Sequence, residues 1–324
     1  MRIPFGTRAR SATPDVSVKT GLDNMMAHHN ICILGGTGFV GHHLLARLSR
    51  SGHRCRVLTR RPERHRDLRL APGAEVLQAN VFDRQSLAER LGGCSVVINL
   101  IGILNEGKVQ TFEQVHVALV DRIGEAARTA GVQRFLQMSA LGADAATGKS
   151  RYLRSKGEGE ARAHAQEGLR VTSFRPSVIF GRGDSFFNRF AALLRLVPGV
   201  FPLACPDARF APVYVGDVTA AMEATLDDPG TWGKAYDLCG PRAFSLRQLV
   251  EYTAHTIGRK PRIVGLGNAA SRLQARIFQH LPGKPFTLDN YLSMQTPSTC
   301  ERNGLSDLAI SATDIDTVVP LYLA

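Results

Sequence analysis

The 324-residue sequence predicts an α/β protein, a doubly wound parallel sheet with helices on both faces and a smaller C-terminal lobe. Three observations predict it. Short apolar runs alternate with helix-patterned stretches from residue 30 to residue 175. The first run leads straight into three glycines spaced three apart. Beyond residue 176 the alternation loosens and longer apolar stretches take over.

The first strand is the buried run Ile31 to Leu34. It passes into Gly35-Gly36-Thr37-Gly38-Phe39-Val40-Gly41, and an amphipathic helix pattern follows from His42 to Ser51. Strand, glycine turn and helix start together set backbone N–H groups and a helix N-terminus against a pyrophosphate. Gly35 permits the tight turn, Gly38 lets phosphate approach the backbone, and Gly41 lets the helix pack close to the strand. The second strand is Arg54 to Thr59 and the third Glu75 to Ala79, with a helix over Arg84 to Leu91. Ser95 to Leu100 is the fourth strand, and a long helix runs from Phe112 to Ala130. Phe135 to Ser139 is the fifth strand, Tyr152 to Gln166 a polar, Ala-rich helix, and Val171 to Arg175 the sixth strand.

Two apolar stretches mark the second half. Phe186 to Leu203 reads as a core helix of the lobe or as the wall of an apolar pocket or lipid-facing surface, and core is favoured. Leu266 to Leu281 sets Leu273, Ile277 and Leu281 beside Arg272 and Arg276 and carries the same two readings. Residues 1–29 read as an extension without structure of its own. It is either a targeting presequence or sequence upstream of a start at Met25 or Met26, and the second is favoured. The domain plan is therefore 1–29, a dinucleotide domain over 30–175 with returning segments near 210–220 and 235–240, and a lobe mainly over 176–324.

A 44% hydrophobic and 21% charged composition is that of a globular domain, and no apolar stretch is long enough to span a bilayer. Six scattered cysteines form no Cys-x-x-Cys pair, which argues for a reducing compartment and against a zinc site or disulfide scaffold. The net charge is +12, and residues 1–70 hold 13 Lys/Arg against 4 Asp/Glu. Such charge suits an anionic cofactor, an anionic membrane surface or, as the remote alternative, nucleic acid. No nucleic-acid motif accompanies it, so no nucleic-acid partner is expected.

The second strand ends in Thr59-Arg60-Arg61, about 20 residues past the glycine turn, where an acid marks NAD specificity. Arginines there suit the 2′-phosphate of NADP, so NADP(H) is favoured, with NAD(H) the alternative. Tyr152 and Lys156 stand one helical turn apart. A cation at that distance is expected to lower the phenol pKa, so that Tyr152 exchanges a proton with substrate during hydride transfer while Lys156 holds the nicotinamide ribose.

The glycine turn, Asn99, Tyr152/Lys156, Arg175 to Asp184 and Pro212 to Val218 together resemble the extended short-chain dehydrogenase/reductase superfamily over about residues 30 to 260. The resemblance implies a Rossmann-like domain with a C-terminal substrate lobe. It implies a cofactor site that includes Gly35, Thr37, Gly38, Phe39, Val40, Gly41, Asn99, Tyr152, Lys156 and Pro176, with Asn80 and Val81 near the adenine. Met138 to Asp144, Tyr152 to Glu160 and Leu281 to Thr287 resemble more closely the atypical branch named for the alpha-subcomplex subunit 9 of complex I, which has bacterial members. In that branch NADPH is held as a structural element, so the resemblance implies a respiratory or quinone-related assembly. The implied place is cytoplasmic and peripheral on the inner membrane, or on the matrix side in a mitochondrion. Ser139 is the nearest hydroxyl for a substrate oxygen, but Ala140 and Leu141 follow where many relatives carry more hydroxyls. A missing donor costs on the order of 10²–10³ in rate. Two functions therefore compete: a tightly held cofactor with little turnover, and an NADPH-dependent reductase or epimerase acting on an apolar substrate through Tyr152, Lys156 and Ser139.

Overall fold

The alternation along the sequence becomes one seven-stranded parallel sheet. A computed structural model describes residues 28–107, 109–197 and 199–323, so the expected extension lies outside the described residues apart from His28 and His29. Strands β1 (Asn30–Leu34), β2 (Arg54–Thr59), β3 (Ala74–Gln78), β4 (Val96–Asn99), β5 (Arg134–Met138) and β6 (Arg170–Pro176) are joined by five helical crossovers or loops. The short strands β7 (Ile179–Phe180), β8 (Val200–Leu203), β9 (Arg209–Phe210) and β10 (Val213–Tyr214) follow. Strand β11 (Lys234–Leu238) returns to the sheet, and β12 (Phe244–Ser245) and β13 (Arg262–Gly265) come after it. The sheet order is β11-β6-β5-β4-β1-β2-β3, a Rossmann-like arrangement with one added edge strand. Leu34 stands opposite Leu58 on one side and Asn99 on the other. Strand order reverses at β1, and such sheets bind ligands in the crevice beyond that point.

Side chains that alternate along β1 feed two cores. Ile31 and Ile33 meet Leu44, Leu45 and Leu48 of α1 (Phe39–Arg50) and Val218, Ala221 and Met222 of a helix that returns from the second half. Cys32 and Leu34 face the other way, toward Leu87 and Leu91 of α2 (Arg84–Leu91) and Leu119, Val120 and Ile123 of α3 (Leu119–Thr129). Each of these buried leucines and isoleucines is worth roughly 1.5–3 kcal/mol. The Asp83 carboxylate caps α2 by accepting from the amides of Gln85 and Ser86 at 3.1 and 3.2 Å, worth about 1 kcal/mol.

The long helix expected over 112–130 is α3 preceded by a π-helical turn, Glu113–Ala118. Helix α4 (Arg151–His164) crosses that turn at Gly159, where a Cβ would lie 1.8 Å from the His116 carbonyl oxygen. Further helices are α5 (Phe187–Leu196), α6 (Val215–Ala224), α7 (Leu246–Thr256), α8 (Asn268–Phe278) and α9 (Leu288–Ser293), followed by three four-residue helices, α10 (Gly304–Asp307), α11 (Ile315–Val318) and α12 (Pro320–Leu323). The returning helix of the first core is α6.

The apolar stretch 186–203 is mainly core, as favoured. Phe187, Ala191 and Leu194 are buried, against Leu249, Ile315 and Val319 or against Phe201 and Val250. It is not one helix, because Gly199 takes a φ of +90° and the chain continues as β8. Leu196 on α5 and Leu273 and Ile277 on α8 remain exposed, at 76%, 58% and 55%. Among the described residues no helix is long and apolar enough to cross a membrane.

One expectation from the cysteines is overturned. Cys239 and Cys300, 61 residues apart, form a disulfide. The C-terminal segment runs back along the end of the sheet: Ala211 donates to the Ser298 carbonyl at 2.9 Å, and Asn303 Nδ2 donates to the Cys239 carbonyl at 2.8 Å. That return is invisible in cysteine spacing. Cys32, Cys55, Cys94 and Cys205 are free and buried.

Candidate functional site

The glycine turn sits at the crevice. Gly35 has a φ of +79°, which favours glycine. A Cβ there would also press within 3.1 Å of the Leu100–Ile101 backbone. The Gly38 amide donates to the Gly35 carbonyl at 3.0 Å and closes the turn. Gly38 is the N-cap of α1, no side chain caps that end, and no acid lies in the first turn. The amides of Phe39, Val40 and Gly41 therefore lack intrahelical acceptors and suit an anion. A Cβ on Gly38 would meet only the Gly35 oxygen, at 3.3 Å, so its outer face stays open. Gly41 approaches the turn itself rather than the strand: a Cβ there would lie 2.5 Å from Gly35 O and from Gly36 Cα. Thr37 is half-buried beside them.

Beyond β2 and β3 a cleft of about 950 Å³ opens, lined by residues that include Arg60, Ala79, Asn80, Phe82, Gln114 and Arg122. Arg60 and Asn80 thus share one surface. Arg61 is exposed at the same strand end, and Val81 packs toward the core instead. Phe82, Gln114 and Arg122 were not expected here. Arg122 is a half-buried residue of the long helix, and its guanidinium lies 5.9 Å from the Phe82 ring centroid.

Asn99 is buried at the end of β4. Its amide donates to Gln137 Oε1 at 2.9 Å and its oxygen accepts from the Ile101 amide at 3.1 Å, which shapes the loop that follows. Pro176 ends β6, and its carbonyl accepts from Leu141 at 3.1 Å. The Ser139 hydroxyl is buried and has no hydrogen-bond partner among the described residues. A buried hydroxyl left so costs about 1–3 kcal/mol.

Tyr152 and Lys156 share helix α4, but the phenol shifts up, opposite to the expected direction. The Lys156 ammonium donates to the Met138 carbonyl at 2.7 Å. Burial, and then the nearby Asp289 carboxylate, push the Tyr152 phenol up to about 12 rather than down. Its ring lies edge-on to Phe112 and His116, with centroids 5.9 and 5.6 Å away. Asp289 of α9 accepts from the amides of Arg151 and Tyr152 at 2.8 and 3.1 Å. A carboxylate at a helix N-terminus is favourable, but it works against a neighbouring phenolate. Burial lowers Lys156 to about 8, so it is mainly protonated at neutral pH.

His116 completes the cluster and was not foreseen. Its Nε2 accepts from the Ile103 amide at 3.1 Å, so Nδ1 carries the proton and donates to Ser155 Oγ at 2.9 Å. Ser155 in turn donates to the Tyr152 carbonyl at 2.9 Å. A Cβ on Gly102 would lie 3.6 Å from His116 Nε2 and 3.9 Å from Lys156 Nζ, so this loop meets both. Burial, then the Lys156 charge, push the imidazole down to about 3. In the unfolded chain it titrates near 6.5. Its contribution to stability is therefore complete above about pH 6.5 and lost as pH falls toward 3, by about 1.4 kcal/mol per unit. Urea unfolding at pH 7 and pH 5 is expected to show a shallower pH slope in His116→Asn. Equal slopes would remove His116 as the source.

Residues 35–181 match a family model described as NAD(P)H-binding. The mitochondrial NADH dehydrogenase (ubiquinone) 1 alpha subcomplex subunit 9 of Arabidopsis thaliana is 30% identical over 307 residues, 88% of this chain and 73% of that protein. The ceramide reductase of Caulobacter vibrioides is 30% identical over 239 residues, 73% of each chain. Among solved structures, an NADPH-dependent quinone oxidoreductase of Escherichia coli complexed with NADPH superposes with a TM-score of 0.72 at 22% identity. It covers 90% of this chain and 99% of that one. That last likeness shows the fold alone.

Proposed function

Because the chain belongs to the NAD(P)H-binding, short-chain dehydrogenase/reductase-like family that includes the complex I alpha-subcomplex subunit 9 proteins, we propose that it holds NADP(H) as a resident cofactor. Arg60 carries the choice of nucleotide. It lines the cleft at the end of β2 with Asn80, where an acid would select NAD. Arg60 and Arg61 bind the 2′-phosphate, the turn 35–41 binds the pyrophosphate, and Lys156 holds the nicotinamide ribose near Asn99 and Pro176. The phenol, pushed up to about 12 by burial and then by Asp289, favours retention of the cofactor over turnover. The assembly served is a respiratory or quinone-related one. Exposed Leu196, Leu273 and Ile277, with Arg272 and Arg276 on α8, suit peripheral contact with an anionic membrane.

The buried Ser139 hydroxyl, unpartnered among the described residues, supports a second reading, a reductase of an apolar substrate through Ser139, Tyr152 and Lys156. A relative named for ceramide reduction points the same way. Calorimetry with NADPH and NADH, after analysis of nucleotide released on denaturation, separates these readings. We expect NADPH to co-purify or bind at least tenfold tighter than NADH. Arg60→Ala combined with Arg61→Ala should remove that preference and leave NADH affinity unchanged. Equal affinities in the unaltered protein would refute the NADP assignment. Weak, exchangeable binding together with NADPH oxidation that Tyr152→Phe abolishes would favour the enzyme.

A further inference from the structure

The loop between β2 and β3 brings a second set of polar groups beside the glycine turn. His42 lies in the first turns of α1, His65 lies between two consecutive 3₁₀ turns, Pro62–Arg64 and Arg66–Leu70, and Asp67 lies in the second. Each offers one donor atom, and the three atoms all lie within 4.8 Å of one another. His42 Nε2 stands 3.4 Å from Asp67 Oδ2. That matches one edge of a tetrahedron with metal–ligand bonds of about 2.0–2.1 Å, which is about 3.3 Å long.

One further observation points to a cation rather than a chance surface pair, and another holds the loop in place. His42 Nδ1 donates to the Gly38 carbonyl at 2.9 Å, which leaves Nε2 as a lone pair facing Asp67. Backbone carbonyls orient metal-binding imidazoles in this way. Leu68, next to Asp67, is buried in the core of α1, so the loop is anchored between its two candidate ligands and the sheet. His65 is half-exposed, at the junction of the two turns, so its ring has room to close the remaining distance.

We propose that His42, His65 and Asp67 bind a divalent transition-metal cation of the zinc class. Two imidazoles and one carboxylate suit zinc, cobalt or nickel and are a poor set for magnesium or calcium, which take oxygen ligands. The cation ties the loop 60–70 to the first turns of α1. The site stands on its own ligands and does not depend on which nucleotide binds.

The test uses the full chain without an affinity tag and without nucleotide, titrated with Zn²⁺ by calorimetry and with Co²⁺ by visible absorption. One equivalent is expected to bind, with a tetrahedral cobalt spectrum. His42→Gln, His65→Gln and Asp67→Asn should each weaken Zn²⁺ at least tenfold. His65→Gln sits in an outer loop, so it tests the site even if His42→Gln disturbs the helix. No stoichiometric binding, or binding that persists equally in all three variants, overturns the proposal.

Discussion

Gly159→Ala is expected to destabilise the protein by about 3 kcal/mol or more, at or above the top of the range for overpacking. The added Cβ would sit 1.8 Å from the His116 carbonyl oxygen, and both neighbours are helical backbone. No rotamer change relieves that contact, so α4 must retreat from the π-helical turn 113–118. The retreat carries Tyr152, Ser155 and Lys156 away from His116 and Gly102. Urea unfolding measures the loss, and nucleotide calorimetry on whatever remains folded should show weaker binding. Stability within 1 kcal/mol of the unaltered protein would mean that the two helices do not approach as described.

Gly41→Ala is expected to act on the cofactor more than on the fold. Its Cβ would lie 2.5 Å from Gly35 O and Gly36 Cα, inside the turn that presents the amides. The turn must open, and the amides of residues 39–41 lose their common focus. Dinucleotide affinity should fall at least 100-fold, about 2.8 kcal/mol, with a smaller loss of thermal stability. Affinity within threefold of the unaltered protein would place the pyrophosphate elsewhere.

The sheet was legible because its information is local. Alternate residues of β1 enter opposite cores, so a short apolar run flanked by helix patterns announces a strand covered on both faces. The glycine turn was legible because steric demands at Gly35 and Gly41 leave few other residues. Less local features were hidden. The sequence predicts a Tyr152 phenol lowered by Lys156, but burial, and then a carboxylate 137 residues later in sequence, raise it. His116 looked like one more residue of a long helix, and only the π-helical turn and its place under α4 make it part of the site. The disulfide joins segments that meet only after the lobe has folded back.

Asp289 has an evolutionary consequence. It lies in the lobe, yet it supplies the acceptor for the first amides of the helix that carries Tyr152. A descendant that exchanges its lobe for one suited to another ligand must also inherit an acceptor at this point, or bare two amides of α4. Recombination between residues 152 and 289 is thereby penalised, and the segments that carry them are bound to diversify together rather than as interchangeable modules.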